Sequence, residues 1–561
     1  MVYVDDNAII NAGTVPLANC LIFKGFGADD RLSAASGGQD GGHLVFCQKG
    51  HIWLFMMTSA LTSLRKLLLI PDRDPLDYPF VESDVAMLQR VLADPARHAV
   101  DDPTWKDLML SAYCAELSQE VSIFGQHVLY RRLREGGCET LAPSVAALAD
   151  DPEQATALHL ACKPLRKADK EIATLLYRDA PPAEPRWLGK AWMLAPMLLA
   201  SIAAAMLVSP AAWLATFALL YFLMAQQVRY GHLIEEWDRS MRSLQMLLRV
   251  ASQRGGPDAA AVARINRDLT RTPGGPLQGH QDWFALKNIT HYFHSARVVF
   301  ANLPLLRATL LDIGNLEADL ALARHLARTP VYCPAVRSEG RAVALRDTVH
   351  PLLAAAQPLT LALDGRGAFI SGQNGIGKST LLRTVGLNLV AARAFGFCYA
   401  RQAAVPDLPV YSSMQNDDSL LGGESLYVAE LRRARQLLAA ADGPHPGVYL
   451  IDEIFRGTNH LESVSSAAAV LDLLAERGLV LVSSHNLVLA GLLEHRIDAL
   501  CVARDAAGML RLSPGLLVHT NGIALLAEHG FGPRVESGAG KVFDWLNGYL
   551  AHPAASAGVL A

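Results

Sequence analysis

The chain has 561 residues, too many for one hydrophobic core, so two or three domains are expected. Its formal net charge of -4 excludes a globally basic nucleic-acid coat and leaves a local basic groove open. Eight scattered cysteines, with no C-x-x-C pair and no cluster at metal-binding spacing, read as reduced thiols rather than a disulfide framework or a zinc site.

The first thirty residues of the region 1–85 carry Asp5, Asp6, Asp29 and Asp30 and no basic stretch ahead of an apolar run, which does not resemble a secretory signal. No role is assigned to this region. From residue 86 to 310 the pattern is helical. Leucines mix with Arg, Glu and Lys at helical spacing over Glu153–Tyr177 and again over His232–Val250, suggesting two long arms. Between them, the 38 residues from Ala191 to Val228 contain no Asp, Glu, Lys, Arg or His. A ~30 Å hydrocarbon core takes about 20 helical residues. The stretch therefore supplies two short crossings, Ala191–Val208 and Ala211–Val228, turning at Ser209-Pro210. Arg186 and Lys190 before it and Arg229 after it place both flanks on the cytoplasmic side of a bacterial-type inner membrane. The alternative is a cytoplasmic protein whose apolar helical pair is buried in a core or a dimer interface. Gly255-Gly256-Pro257 and Gly274-Gly275-Pro276 mark loops, and Asp282–Ala327 is helical again.

From about Thr360 short apolar runs alternate with helical patterns. Gly367–Ser371, Val448–Ile451 and Leu479–Ser483 read as strands of an α/β parallel sheet. The first runs into Gly372-Gln373-Asn374-Gly375-Ile376-Gly377-Lys378-Ser379-Thr380 and then into a helical pattern. That order of strand, loop and helix is the context a Walker A phosphate loop requires. Backbone N–H groups at Gly372, Asn374, Gly375 and Gly377 would wrap the phosphates of ATP, Lys378 would reach its β- and γ-phosphates, and Thr380 lies beside them. Ser379 would ligate Mg²⁺. The run Val448–Ile451 ends in Asp452-Glu453, 74 residues beyond Lys378. Asp452 is the candidate metal holder and Glu453 the candidate base for the attacking water. His485, at the end of the third strand, is a candidate γ-phosphate sensor. Gly422-Gly423-Glu424-Ser425 precedes a helix over Leu426–Ala441 and resembles the signature loop of ATPases that sandwich nucleotide between two subunits. Ser425 would then act across a homodimer with composite ATP sites.

These pieces resemble the MutS family of DNA mismatch-repair ATPases. Leu316-Glu317-Ala318-Asp319, Tyr332-Cys333-Pro334 and Val349-His350-Pro351-Leu352 follow the order of that family's lever-to-ATPase junction. Asn374 fills its asparagine slot, and Asp452-Glu453-Ile454-Phe455-Arg456-Gly457-Thr458 is similar to its Asp-Glu-x-x-Arg-Gly-Thr block. Asn521-Gly522-Ile523-Ala524 through Gly530-Phe531-Gly532-Pro533 looks like its dimer-packing terminal segment, and Phe124-Gly125-Gln126 like the start of its helical core. The resemblance covers roughly Leu311 to Leu546. It implies an α/β P-loop NTPase domain of the ABC/MutS type over 311–561, joined to an all-α lever domain over 86–310 that carries the transmembrane hairpin 191–228. It also implies an ATP hydrolase with Mg²⁺, a homodimer and double-stranded DNA as partner. There is little room for a mismatch-reading domain, and the uncharged hairpin stands where the family carries its DNA clamp. An ABC-type transporter subunit and a soluble scaffold ATPase are the alternative functions.

Overall fold

The computed structural model describes residues 80–550, apart from 95–97, 179, 272–276, 415–425 and 518–520 and the side chains of residue 527 and residues 545–550. The Gly422–Ser425 run and nearly all of the N-terminal region lie outside the described residues.

The helical half begins with short elements. Helix α1 (Asp102–Asp107) is capped by Asp101, whose Oδ1 accepts from Thr104 N at 2.9 Å. Helix α2 (Ile123–Glu135) is capped by Ser122, whose Oγ accepts from Phe124 N at 3.2 Å. The expected arm over Glu153–Tyr177 is not one helix. It breaks into Pro152–Cys162, a 3₁₀ turn over Lys163–Lys167 and Glu171–Leu176. Pro164 has no N–H to continue the first helix, and Asp169 N donates instead to Ser243 Oγ at 2.8 Å.

The uncharged stretch does form a helical hairpin. A 3₁₀ turn over Leu188–Met193 leads into α3 (Leu194–Leu207), and the chain reverses at residues 208–211 into α4 (Ala212–Arg254). The second crossing and the second arm are thus one continuous helix of 43 residues. Its outer half is exposed and apolar. Its inner half buries Trp237, Leu244, Leu247 and Leu248, and Trp237 Nε1 donates to Ser295 Oγ at 2.8 Å. The latter lies on α6 (Lys287–Ala301), and α5 (Ala259–Leu269) packs against both helices.

Helix α7 (Leu303–Arg328) carries the chain toward the sheet and packs on α2 through two glycines. A Cβ at Gly314 would stand 2.8 Å from Val128 Cγ2, and one at Gly125 would stand 2.8 Å from Glu317 Cβ. Only glycines allow that approach of the two backbones.

The C-terminal half holds two main sheets. The four-stranded one orders as Val336–Arg337, β4 (Gln402–Val405), β1 (Val343–Thr348) and β2 (Leu359–Leu363). The six-stranded one contains β3 (Gly367–Gly372), β5 (Val410–Ser413), β6 (Val448–Asp452), β7 (Leu479–Ser483), β8 (Ile497–Arg504) and β9 (Leu510–Pro514). Its order is β9-β8-β3-β7-β6-β5, parallel throughout except for the antiparallel edge strand β9. Strands β3, β6 and β7 are central and covered on both faces, which is why they read as unbroken apolar runs. Helix α8 (Lys378–Phe395) follows β3 and is nearly all buried. It is wedged so tightly that a Cβ on Gly386 would come within 2.5 Å of both Leu108 and Leu450. Helices α9 (Leu426–Ala441), α10 (His460–Arg477) and the C-terminal α11 (Pro533–Leu550) complete the domain. One hydrophobic core runs without interruption from Val85 in the helical half to Val502 in β8.

Candidate nucleotide site

The loop between β3 and α8 turns on Gly375 (φ 74°) and Gly377 (φ 106°), both in the left-handed region that favours glycine. Among the described residues, chain neighbours aside, nothing lies within 4 Å of the position a Cβ on Gly375 would take, so that side of the loop is open. Lys378 folds back over its own loop, with Nζ donating to Gly372 O at 3.0 Å and to Gln373 O at 3.2 Å. Burial lowers the pKa of this ammonium, and the nearby charges of Asp452 and Glu453 act against that. Strand β7 lies between β3 and β6, with Ser483 opposite Ile370 on one side and Asp452 on the other, so the loop after β3 and the end of β6 leave the sheet at the same edge.

Asp452 pairs with Ser483 on β7, and Ser483 Oγ donates to Asp452 Oδ1 at 2.8 Å. Glu453 N donates to Ser483 O at 2.9 Å, which holds the next residue in place although its φ of 57° is unusual for a non-glycine. His485 Nε2 lies 2.9 Å from Glu453 Oε1, so the expected sensor and the expected base contact one another. Ser379 and Thr380 form the first turn of α8. Among the described residues no group of three or more His, Cys, Asp or Glu side chains could hold a metal ion. A site built from one hydroxyl, one carboxylate and phosphate oxygens suits Mg²⁺, which keeps several of its waters.

The sequence reading missed three contributors. Asn521, in the segment after β9, exchanges hydrogen bonds with Asn374 of the loop. Glu430, on the buried face of α9, accepts from Gly457 N at 3.3 Å and faces Arg456. The signal for Glu430 was its place in the helical stripe Glu430, Ala434, Leu437 and Ala441, where a carboxylate stands among apolar neighbours. Ser483 carried no signal of its own.

A parallel sheet, a glycine loop opening a buried helix and an acidic strand end beside it define a P-loop ATPase-like nucleotide domain. Residues 368–509 match the family model of MutS domain V. In this domain the chain is similar to MutS-family proteins. It is 36% identical over 181 residues to the endonuclease MutS2 of Thermus thermophilus, an alignment covering 31% of this chain and 23% of that one. It is 30% identical over 232 residues to the DNA mismatch repair protein MutS of Thermus aquaticus, covering 39% and 28%. With MutS of Natronomonas pharaonis the identity is 27% over 268 residues, covering 45% and 31%. The chain thus spans less than a third of the length of each of these relatives.

Proposed function

We propose that the protein is a MutS-like ATPase that binds ATP with Mg²⁺ at residues 372–380 and hydrolyses it with Glu453 as the base. The observation that supports this most is the strand register that puts the loop leading to Lys378 and the acidic end Asp452-Glu453 on either side of Ser483 at one edge of the sheet. Lys378 would exchange its two loop carbonyls for the β- and γ-phosphates, and Ser379 and Asp452 would hold Mg²⁺, which would supply charge neutralisation at the phosphate oxygens. Glu453 takes a proton from water as the water oxygen attacks the γ-phosphorus, the bond to the β-phosphate oxygen breaks, and ADP leaves. His485 donates to Glu453 in the tautomer protonated at Nε2 and orients it.

In this reading the active form is a homodimer in which Ser425 of each chain faces the nucleotide of the other. The cycle of closing and reopening moves α4 and α7. The MutS relatives of Thermus aquaticus and Natronomonas pharaonis are named for DNA mismatch repair, and double-stranded DNA is the ligand we assign to these arms. The hairpin takes the place of a clamp and tethers the protein to a membrane, with the ATPase domain in the cytosol. Two variants test the chemistry. Glu453→Gln is expected to keep ATP binding and lose at least about a hundredfold in turnover, the scale of general base catalysis. Lys378→Ala is expected to lose binding. Turnover retained in Glu453→Gln would sink the proposed base.

A further inference from the structure

We propose that Arg456 and Glu430 form a relay through which helix α9 sets the position of Glu453, making Arg456 a positioning residue for hydrolysis. The inference rests on Glu453 being the base.

Glu430 is 2% exposed, and a carboxylate so buried persists only with partners that satisfy it. Its partners come from one short loop: Arg456 Nε at 3.5 Å from Oε1 and Gly457 N at 3.3 Å from Oε2. Arg456 then turns its Nη1 toward Glu453, 3.8 Å from Oε2. One guanidinium thus stands between two carboxylates, one on α9 and one at the end of β6. The Arg456 side chain is 42% exposed and that of Glu453 24%, so the pair between these two contributes little to stability and calls for another reason.

The rest of the loop is also built on α9. Phe455 is buried and packs edge-on against Tyr427, with ring centroids 6.0 Å apart. Gly457 lies so close to α9 that a Cβ there would come 2.7 Å from Tyr427 N. Glu453 and Phe455 both hold left-handed φ values, 57° and 59°, a conformation that persists only where surrounding contacts impose it. Those contacts are Ser483 on the sheet side and α9 on the other. A shift of α9, whose first residue follows the Gly422–Ser425 run, therefore pulls on Gly457 and Arg456 and redirects the Glu453 carboxylate relative to His485.

The test uses the full chain and measures kcat, KM and nucleotide Kd for Arg456→Gln, Arg456→Lys, Glu430→Gln, the double variant Glu430→Gln/Arg456→Gln, and Glu453→Gln as control. Misdirecting a catalytic group by about 1 Å costs on the order of a hundredfold, so Arg456→Gln and Glu430→Gln are each expected to lose roughly tenfold to a hundredfold in kcat, with KM and Kd within about twofold. Arg456→Lys is expected to recover part of the loss, because an ammonium keeps the charge but cannot fork to two carboxylates. The double variant is expected to be no slower than the worse single one, since both break one relay. Unchanged kcat in Arg456→Gln, or losses that multiply in the double variant, would overturn the relay. Should Glu430→Gln fail to fold, Arg456→Gln and Arg456→Lys, at a half-exposed position, decide alone. Turnover surviving in Glu453→Gln would instead reject the base, a different failure.

Discussion

The backbone N–H of Asn374 donates to Asn521 Oδ1 at 2.8 Å, and Asn521 Nδ2 returns a bond to the carbonyl of Asn374 at 3.3 Å. The two residues are 147 positions apart, and one side-chain amide closes the phosphate loop against the C-terminal segment. Leu517 N, donating to Ser371 Oγ at 3.0 Å, fastens the same segment one residue before the loop begins.

This clasp predicts a binding defect without a chemical one. Two partly exposed hydrogen bonds of roughly 0.5–1.5 kcal/mol each hold the loop, so Asn521→Ala should raise the Kd for ATP about threefold to tenfold with kcat at saturation unchanged. Asn521→Asp keeps the size but puts a negative charge beside the phosphates and should weaken binding further. Titration with a fluorescent ATP analogue reads both. Equal Kd values in all three proteins would remove Asn521 from the site.

Glu317 predicts a pH dependence of stability. It is buried on α7, where it accepts from the Ser122 hydroxyl, and burial pushes its carboxyl up from 4.5 to about 7. Below pH 4.5 both the folded and unfolded chains hold this proton. Between 4.5 and about 7 the folded chain keeps a proton that the unfolded chain has released, so stability falls as pH rises, by at most about 1.4 kcal/mol per pH unit. The contribution is fully present at acid pH and lost above about 7. Glu317→Gln mimics the neutral form. Urea denaturation at pH 5, 6, 7 and 8 should show the variant gaining on the wild type at each step, and parallel curves would reject the assignment.

What the sequence made legible follows from which interactions are local. Strands β3, β6 and β7 stood out because central parallel strands are apolar on both faces, and α9 ends where its leucine and alanine stripe ends. The junction of loop and acidic strand end followed from strand, glycine loop and helix in order. The helical stripe over Glu153–Tyr177 hides the break that Pro164 makes, and the second crossing and second arm are one helix because nothing between Val228 and Tyr230 breaks it. Asn521 and Glu430 act on residues far away in the chain. Their roles appear only when the sheet brings β6 beside β3 and α9 beside the loop after β6.

The α2–α7 contact predicts a sharp contrast between glycines. At Gly314 an added methyl would stand 2.8 Å from Val128 Cγ2 and 2.9 Å from Phe124 O, the latter backbone that cannot turn aside. Gly314→Ala should cost about 1–3 kcal/mol, the range for overpacking a tight core. At Gly189 no atom lies within 4 Å, and Gly189→Ala should stay within about 0.5 kcal/mol of the wild type. Thermal melts of the two variants check the pair, and equal midpoints would mean that the helices can part without penalty.

The hairpin carries the last prediction. Leu188–Leu207 is the one described stretch long and apolar enough to cross a membrane by length and composition, with mean hydropathy 1.6 and 17% of its window buried. The apolar part of α4 lies beside it, and Thr216 Oγ1 donates to Ser201 Oγ at 3.1 Å, so the polar atoms of the pair satisfy one another between the helices. What faces outward is Leu199, Met206, Leu207, Leu214, Phe217 and Tyr221, an exposed apolar surface. Lipid covers it in our reading, with Trp192 at the charged end and Trp213 near the turn serving as the two interfacial anchors. The full chain should then pellet with membranes and resist carbonate, while the double variant Leu199→Arg/Leu220→Arg, with two charges near mid-depth each costing about 2.5–3.5 kcal/mol on insertion scales, should be released. Release of the wild type by carbonate, with a dimer that persists without detergent and dissociates in the double variant, would give this surface to a second copy of the chain instead.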